Sequence, residues 1–399
     1  MSRLKSRFTH DIVIVGGLGH VGLPLGIVFA AQGMKVALYD VNQKFAQIVQ
    51  SGKMPFVEYD AQPLLRKALV KGNLTIQMNP QAVAQARIVI VAVGTPVDEY
   101  LNPKVKQFLN IFNEFKRFLN KKQLIIIRST VYPHTCEQLS RVLGGKGWKI
   151  AYCPERIVQG YAIRELRELP QIVSGMSKDA ENQAAVLFAK IASKIIRVSV
   201  RKAELTKLFS NAWRYIQFAV TNQFYMIASS LGVDYQKVRR AMMDGYGRAA
   251  TLPTAGFAAG PCLLKDTMQL AAFSNNNFLL GHSAMMINEG LPNFLVNKLR
   301  EKYDLSKTKV GILGMSFKAD IDDSRDSLSY KLGKILRFHG AEVYYADEYV
   351  KDQTFVTKEQ LLKLSDIVII GAPHSVYKNL KIPQAKEVID LWGIIKKRK

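Results

Sequence analysis

The chain has 399 residues, 48% of them hydrophobic, a length and composition that call for two or three domains with enough apolar material to bury each core. Its 56 Lys and Arg against 32 Asp and Glu leave a charge of +24 that favours anionic partners, yet the basic residues are spread along the chain with no arm beyond the tail 396–399. Three widely spaced cysteines, Cys136, Cys153 and Cys262, exclude a disulfide framework and point to a reducing compartment, most simply the cytoplasm.

At the start, Arg3, Lys5 and Arg7 precede an apolar run over 12–31, which imitates a signal peptide or anchor. The run carries Gly16, Gly17, Gly19, Gly22, Pro24 and Gly26, poor material for a membrane helix, so no membrane insertion is expected. It reads instead as a buried strand over 11–15 leading into Gly17-Leu18-Gly19-His20-Val21-Gly22 and a helix. In such a fingerprint the first glycine permits the turn, the second admits a pyrophosphate and the third lets helix pack on strand. A second strand over 35–39 ends in Asp40, 18 residues beyond Gly22. A carboxylate there accepts hydrogen bonds from an adenosine ribose and repels a 2′-phosphate, so NAD is expected rather than NADP.

Further strands are expected over 88–93, 124–127 and 149–153. They run into Gly94-Thr95-Pro96, Arg128-Ser129-Thr130-Val131-Tyr132-Pro133 and Pro154-Glu155-Arg156, the strand ends where a parallel sheet gathers its ligands. From 203 to 231 no proline interrupts a long helix on which Lys207 and Asn211, four apart, share a face. A helical, Met- and Ala-rich stretch follows to about 290, broken by turns over 244–261. A second α/β segment then reads as strands over 309–313, 342–345, 367–370 and 387–389 with a helix over 330–339.

Between the two α/β segments lies Gly256-Phe257-Ala258-Ala259-Gly260-Pro261-Cys262-Leu263-Leu264-Lys265-Asp266. Small residues let a substrate approach the backbone, and a thiol becomes a nucleophile once a cation such as Lys265 or Lys207 favours its thiolate. Alone, such a cysteine is more often an inert core residue.

Taken together these stretches resemble the UDP-glucose/GDP-mannose dehydrogenase family, NAD-dependent enzymes that oxidise the C6 alcohol of a nucleotide sugar to a carboxylate. The matching motifs are 17–24, Gly94 to Asp98, Ser129 to Pro133, Pro154-Glu155, 203–212, the cysteine loop and Phe317-Lys318 through Ser327. The resemblance implies an α/β fold of two Rossmann-like doubly wound domains joined by a long helix and a helical middle domain. The divisions are 1–202 for NAD, 203–300 for the helices and cysteine loop, and 301–399 for the nucleotide sugar. It implies that Cys262 attacks the aldehyde from the first hydride transfer, that Lys207 and Asn211 hold the developing oxyanion, and that Asp266 and Glu155 assist proton transfer with Thr130 holding water. It places NAD against Gly17, Gly19, His20, Val21, Gly22, Asp40, Thr95 and Thr130. Glu155, Arg156, Lys207, Lys318 and Arg325 fall to the sugar nucleotide, Arg248 to a neighbouring subunit's site, and no metal is implied. A homodimer or higher homo-oligomer follows from the family's helical middle. The chemistry is self-consistent, because an alcohol yields one hydride before becoming an aldehyde and a thiol adduct restores a carbon that bears hydride.

Four departures stand out: Ala258-Ala259 for Phe-Gly, Leu263-Leu264 for Phe-Pro, Gln223 for a glutamate, and Leu391-Trp392-Gly393 where an arginine segment often ends the chain. The run Tyr152 to Ile157 resembles the branch acting on UDP-N-acetylhexosamines more than the glucose branch. There Arg156 either reaches a sugar acetyl carbonyl or pairs with Glu165. The alternatives are a UDP-glucose 6-dehydrogenase, a non-catalytic nucleotide-sugar-binding relative, a basic nucleic-acid-binding protein and a two-electron hydroxyacid dehydrogenase. The last leaves the cysteine loop and the C-terminal α/β segment without a role, and the nucleic-acid reading predicts salt-sensitive retention of DNA or RNA.

Overall fold

A computed structural model describes residues 8–95, 97–99 and 101–395. Arg3, Lys5, Arg7, Pro96 and the basic tail 396–399 lie outside the described residues. Two units divide the chain, the first running to Phe209 and the second spanning Ser210–Lys399.

The first unit is organised by β1 (His10–Val15), β2 (Val36–Tyr39), β3 (Leu74–Gln77), β4 (Ala86–Val91), β5 (Leu124–Ile127), β6 (Lys149–Tyr152), β7 (Gln171–Gly175) and β8 (Ile195–Arg197). They form one sheet in the order β3-β2-β1-β4-β5-β6-β7-β8. Every pair is parallel except β6 and β7. Strand β1 is apolar throughout its buried length because both faces are covered: Ile12 and Ile14 enter one core, Val13 and Val15 the other. The chain reverses its direction of travel across the sheet between β1 and β4, the switch point at which open parallel sheets bind ligands.

The apolar run that imitated an anchor is therefore β1, a turn and the helix Gly22–Ala31, all but the last residue of which is buried. Among the described residues no helix is long and apolar enough to cross a membrane. The expected helix over 203–231 spans Val200–Ser230 and stops before Gly232, whose φ of 70° no continuing helix accepts.

In the second unit the helices Tyr235–Met243, Leu263–Phe273 and Leu279–Arg300 occupy the stretch read as helical. Beyond them β9 (Lys309–Leu313), β10 (Glu342–Ala346), β11 (Ile367–Ile370) and β12 (Glu387–Ile389) pair in parallel in the order β10-β9-β11-β12. Here too the chain crosses back at its first strand, so this unit has its own switch point, between β9 and β11. The α/β class and the two parallel sheets agree with the sequence reading, but β3, β7 and β8 were not anticipated.

Candidate active site

In the first unit the glycine fingerprint divides its labour differently from the sequence reading. Gly16, not Gly17, makes the turn, with φ 76°. Gly17 is a packing glycine, since a Cβ there would lie 2.8 Å from the Cα of Leu38 on β2. Gly22 packs the helix start the same way, 2.9 Å from the Cα of Gly17. A Cβ on Gly19 would meet nothing closer than the carbonyl of Gly16 at 3.6 Å, so packing does not demand glycine there. That leaves access to the backbone as its use, which fits a pyrophosphate beside the helix that Val21 begins. Asp40 follows β2 and accepts from the backbone N–H of Leu18 at 2.9 Å, Val41 at 2.8 Å and Asn42 at 3.1 Å. Its carboxylate is thereby fixed beside the glycine turn with acceptor capacity to spare, as ribose recognition requires.

His20 stacks on Phe56 with centroids 3.9 Å apart and lies 3.0 Å from the Gln159 amide, which ties the fingerprint to the segment after β6. Ser129 donates to the Val93 carbonyl at 2.7 Å, so the loops carrying Thr95 and Thr130 are held together at the ends of β4 and β5. Thr95 and Thr130 are both half-buried.

Glu155 is buried, and its carboxylate is shared among three donors. Oε2 takes the Arg128 guanidinium, and Oε1 takes the backbone N–H of Arg156 at 2.6 Å and of Ile157 at 2.7 Å. Arg156 turns its guanidinium to the Pro170 carbonyl, while Glu165 accepts from the Val158 N–H at 2.5 Å. The alternative that Arg156 pairs with Glu165 is not seen; each makes a separate contact to backbone. Lys207 is buried on the helix Val200–Ser230.

In the second unit Cys262 is exposed and sits at the N-cap of the helix Leu263–Phe273, where the helix dipole favours a thiolate. Cys136 and Cys153 are buried, and burial pushes the Cys153 thiol up to about 12 and Cys136 well above its ordinary value. Only Cys262 has the surroundings of a nucleophile. Asn211 donates to Asp266 Oδ2 at 2.6 Å. Asp266 is fully buried, and its Oδ1 lacks a hydrogen bond among the described residues, with Lys265 Nζ 3.6 Å away.

Lys265 lies within ion-pair distance of Asp266, and Arg325 is a cation that interacts electrostatically with Cys262. Asp323, a buried carboxylate two residues earlier, grips Arg325 in a two-pronged contact and raises its pKa further, with Cys262 and Asp326 adding to the effect. The cysteine loop itself is clamped from three sides. Asn222 pairs with both the N–H and carbonyl of Gly256 at 2.9 and 3.0 Å. Gly256 presses on the Trp392 indole, and Gly260, at φ 96°, backs onto the Phe317 ring. Lys318 follows that ring and is half-buried. Arg248 is exposed over the Tyr246 ring, 5.7 Å from its centroid. No group of three or more His, Cys, Asp or Glu among the described residues is arranged to hold a metal.

Sequence reasoning missed Gly16, Arg128, Asn222, Phe317 and Asp323 as site-builders. Arg128 alone carried a signal, a charge at the end of an apolar strand that a buried partner must neutralise.

Three sequence profiles of the UDP-glucose/GDP-mannose dehydrogenase family match in order: the NAD binding domain over residues 10–194, the central domain over 201–289 and the UDP binding domain over 311–397. The chain belongs to that family. It is an NAD-dependent nucleotide-sugar dehydrogenase. Among its relatives is a UDP-N-acetyl-D-mannosamine dehydrogenase of Methanocaldococcus jannaschii, 28% identical over 97% of this chain and 91% of the relative. A solved UDP-D-ManNAc dehydrogenase of Pyrococcus horikoshii superposes with TM-score 0.89 at 27% identity, covering 97% of this chain and 96% of the other. A UDP-glucose dehydrogenase of Pyrobaculum islandicum superposes with TM-score 0.88 at 25% identity, covering 98% and 96%. At the level of fold these two relatives are equivalent, so the sugar is a question for the site.

Proposed function

We propose that the substrate is a UDP-N-acetylhexosamine, UDP-N-acetyl-D-mannosamine foremost, oxidised at C6 to the uronate through covalent intermediates on Cys262. The observation that carries the covalent chemistry is the contrast among the three thiols: two are sealed in cores and the third stands exposed at a helix N-terminus beside Arg325. The sugar rests on the Tyr152 to Ile157 run and on what the relatives act on.

Two NAD molecules, bound one after the other at the same site, would each accept one hydride. The chain's residues do the rest. After the first oxidation the Cys262 sulfur bonds to the aldehyde carbon, giving a thiohemiacetal whose second oxidation leaves a thioester. Water then releases the acid and returns the thiol. Lys207 and the Asn211 amide stabilise the oxyanion that grows at C6. Asp266, fixed through one oxygen by Asn211, offers its other oxygen for proton transfer. Glu155 and Thr130 orient the hydrolytic water. Gly17, Gly19, His20, Val21, Gly22, Asp40, Thr95 and Thr130 hold the dinucleotide, and Lys318 and Arg325 the diphosphate of the substrate. Arg156 takes part in sugar recognition, and Arg248 reaches a second subunit of a homodimer. We assign 1–202 to cofactor, 203–300 to the helical middle and 301–399 to nucleotide sugar, and place the protein in the cytoplasm.

The experiment is NADH formation with UDP-ManNAc, UDP-GlcNAc, UDP-GalNAc, UDP-glucose and GDP-mannose, compared by kcat/KM. Preference for an acetamido sugar is expected. Preference for UDP-glucose or GDP-mannose overturns the sugar, and no turnover with any of them overturns the catalytic reading in favour of a binding protein.

A further inference from the structure

Arg128, at the carboxyl end of β5, is used by none of the steps above, yet it is one of the largest fully buried side chains in the molecule. Burying a guanidinium is expensive unless its donors are matched. Nη2 goes to Glu155, and Nη1 goes to the Cys153 carbonyl at 3.1 Å and Gln171 Oε1 at 2.8 Å. The cation also lies 4.9 Å from the centroid of the Phe188 ring. Nε has no hydrogen bond among the described residues. A site built only to absorb a cation would satisfy Nε too. This one leaves that donor orphaned and keeps the fork aimed at Glu155.

The consequence falls on the carboxylate. It has about four lone-pair sites, and Arg128, the Arg156 N–H and the Ile157 N–H occupy three. Both Oε1 sites are filled by backbone, so the remaining acceptor direction is on Oε2, and the guanidinium determines where it points. Gln171 fixes that guanidinium from behind, because its amide nitrogen is itself tied to the Ile172 carbonyl at 2.7 Å. A chain of directed contacts thus runs from β7 through Arg128 to Glu155.

We propose that Arg128 is the positioning residue for Glu155, setting the free Oε2 direction that orients the water for thioester cleavage. The proposal rests on the thioester chemistry above. In that step the water oxygen bonds to the thioester carbon and the C–S bond breaks with its electron pair going to sulfur. One water proton is relayed to that sulfur, and the acid leaves with Cys262 restored. A misaimed carboxylate slows this step and spares the two oxidations before it, because a displacement of about 1 Å costs on the order of 100-fold in a positioned reaction.

The test is rapid mixing of Arg128→Met, Arg128→Lys and wild type with excess NAD and the sugar nucleotide that the wild type turns over best. Wild type releasing one uronate per two NADH is the control, and its failure there faults the reaction rather than Arg128. Arg128→Met is expected to give a burst of two NADH per active site and a Cys262 adduct visible by intact mass. A steady state slower by about 100-fold should follow, with KM for NAD nearly unchanged. Arg128→Lys, which keeps the charge and one contact, should recover part of the steady rate. A burst slowed as much as the steady state, or a steady state like wild type's, overturns the proposal. If Arg128→Met does not fold, Gln171→Leu loosens the same fork from behind, and an unchanged ratio of burst to steady rate overturns it equally.

Discussion

Replacing Asp40 by Asn changes one atom and separates the two jobs of this carboxylate. The Leu18 N–H meets one oxygen at 2.9 Å, while the Val41 and Asn42 N–H groups meet the other at 2.8 and 3.1 Å. An amide has one acceptor oxygen, so it can serve one side only. The less damaging orientation keeps Val41 and Asn42 and turns the new NH2 toward the Leu18 N–H, donor against donor. At least one charge-assisted bond is lost, worth about 1.5–3 kcal/mol. For a unit of roughly 200 residues that is about 3–12 °C in Tm, since about 1 kcal/mol moves such a unit by about 2–4 °C. Thermal unfolding without cofactor reads this term, and kcat/KM with NAD and with NADP reads the other. Neutralising the carboxylate removes its repulsion of a 2′-phosphate, so the preference for NAD should fall by about tenfold or more, about 1.4 kcal/mol. A variant that melts with wild type and keeps its cofactor preference would refute both the hydrogen-bond count and the placement of the ribose at Asp40.

Cys262→Ala should abolish uronate formation while NAD still binds, checked by product analysis and NAD titration, because the glycine fingerprint belongs to the other unit. Under native conditions a thiol reagent should label Cys262 alone, with Cys136 and Cys153 appearing only on unfolding, as peptide mapping will show. Cys153 also makes stability pH-dependent. Its thiol ionises near its ordinary value of 9.0 in the unfolded chain and, raised by burial, near about 12 when folded, so its contribution is intact below pH 9.0 and is lost as pH rises toward about 12. Cys153→Ala should flatten that alkaline fall in denaturant titrations. Gly260→Ala drives a Cβ to within 2.5 Å of the Phe317 ring at a φ of 96°, and should cut kcat severely. Phe317→Leu in the same chain should recover only part of it, since the backbone strain remains.

Strands β1, β4, β5 and β9 were legible because parallel strands covered on both faces read as unbroken apolar runs. β3 was not, since Leu74–Gln77 is only four residues long and lies at the sheet edge with only its first residue buried, too short for its alternation to stand out. β8, Ile195–Arg197, is three residues long and mostly exposed, below any periodicity. β7 hid for another reason: it pairs antiparallel to β6 after a helix, a reversal no local pattern announces. For the site, residue types at motif spacings were readable, but the residues that hold them were not. Asn222 on Gly256 and Arg128 on Glu155 are contacts across 34 and 27 positions of sequence, fixed by tertiary approach, while Asp323 on Arg325, only 2 apart, is set by the conformation of the loop that carries both.

Arg156 shows where a motif stops short of chemistry. Beside Glu155 its guanidinium fork looked suited either to a sugar acetyl carbonyl or to Glu165, and the fold satisfies it with the Pro170 carbonyl instead. That contact is to a neutral backbone acceptor, and it leaves other donors of the five on a guanidinium for a ligand. Selectivity through Arg156 would therefore come from a side chain already anchored, which loses little rotamer freedom when a carbonyl arrives. Glu155, on the other side of the same peptide, is held by that peptide's own N–H. With the roles proposed for Arg156 and Glu155, sugar recognition and aim of the carboxylate would share one turn, and a substitution at Arg156 that moves the turn should disturb hydrolysis as well as substrate choice.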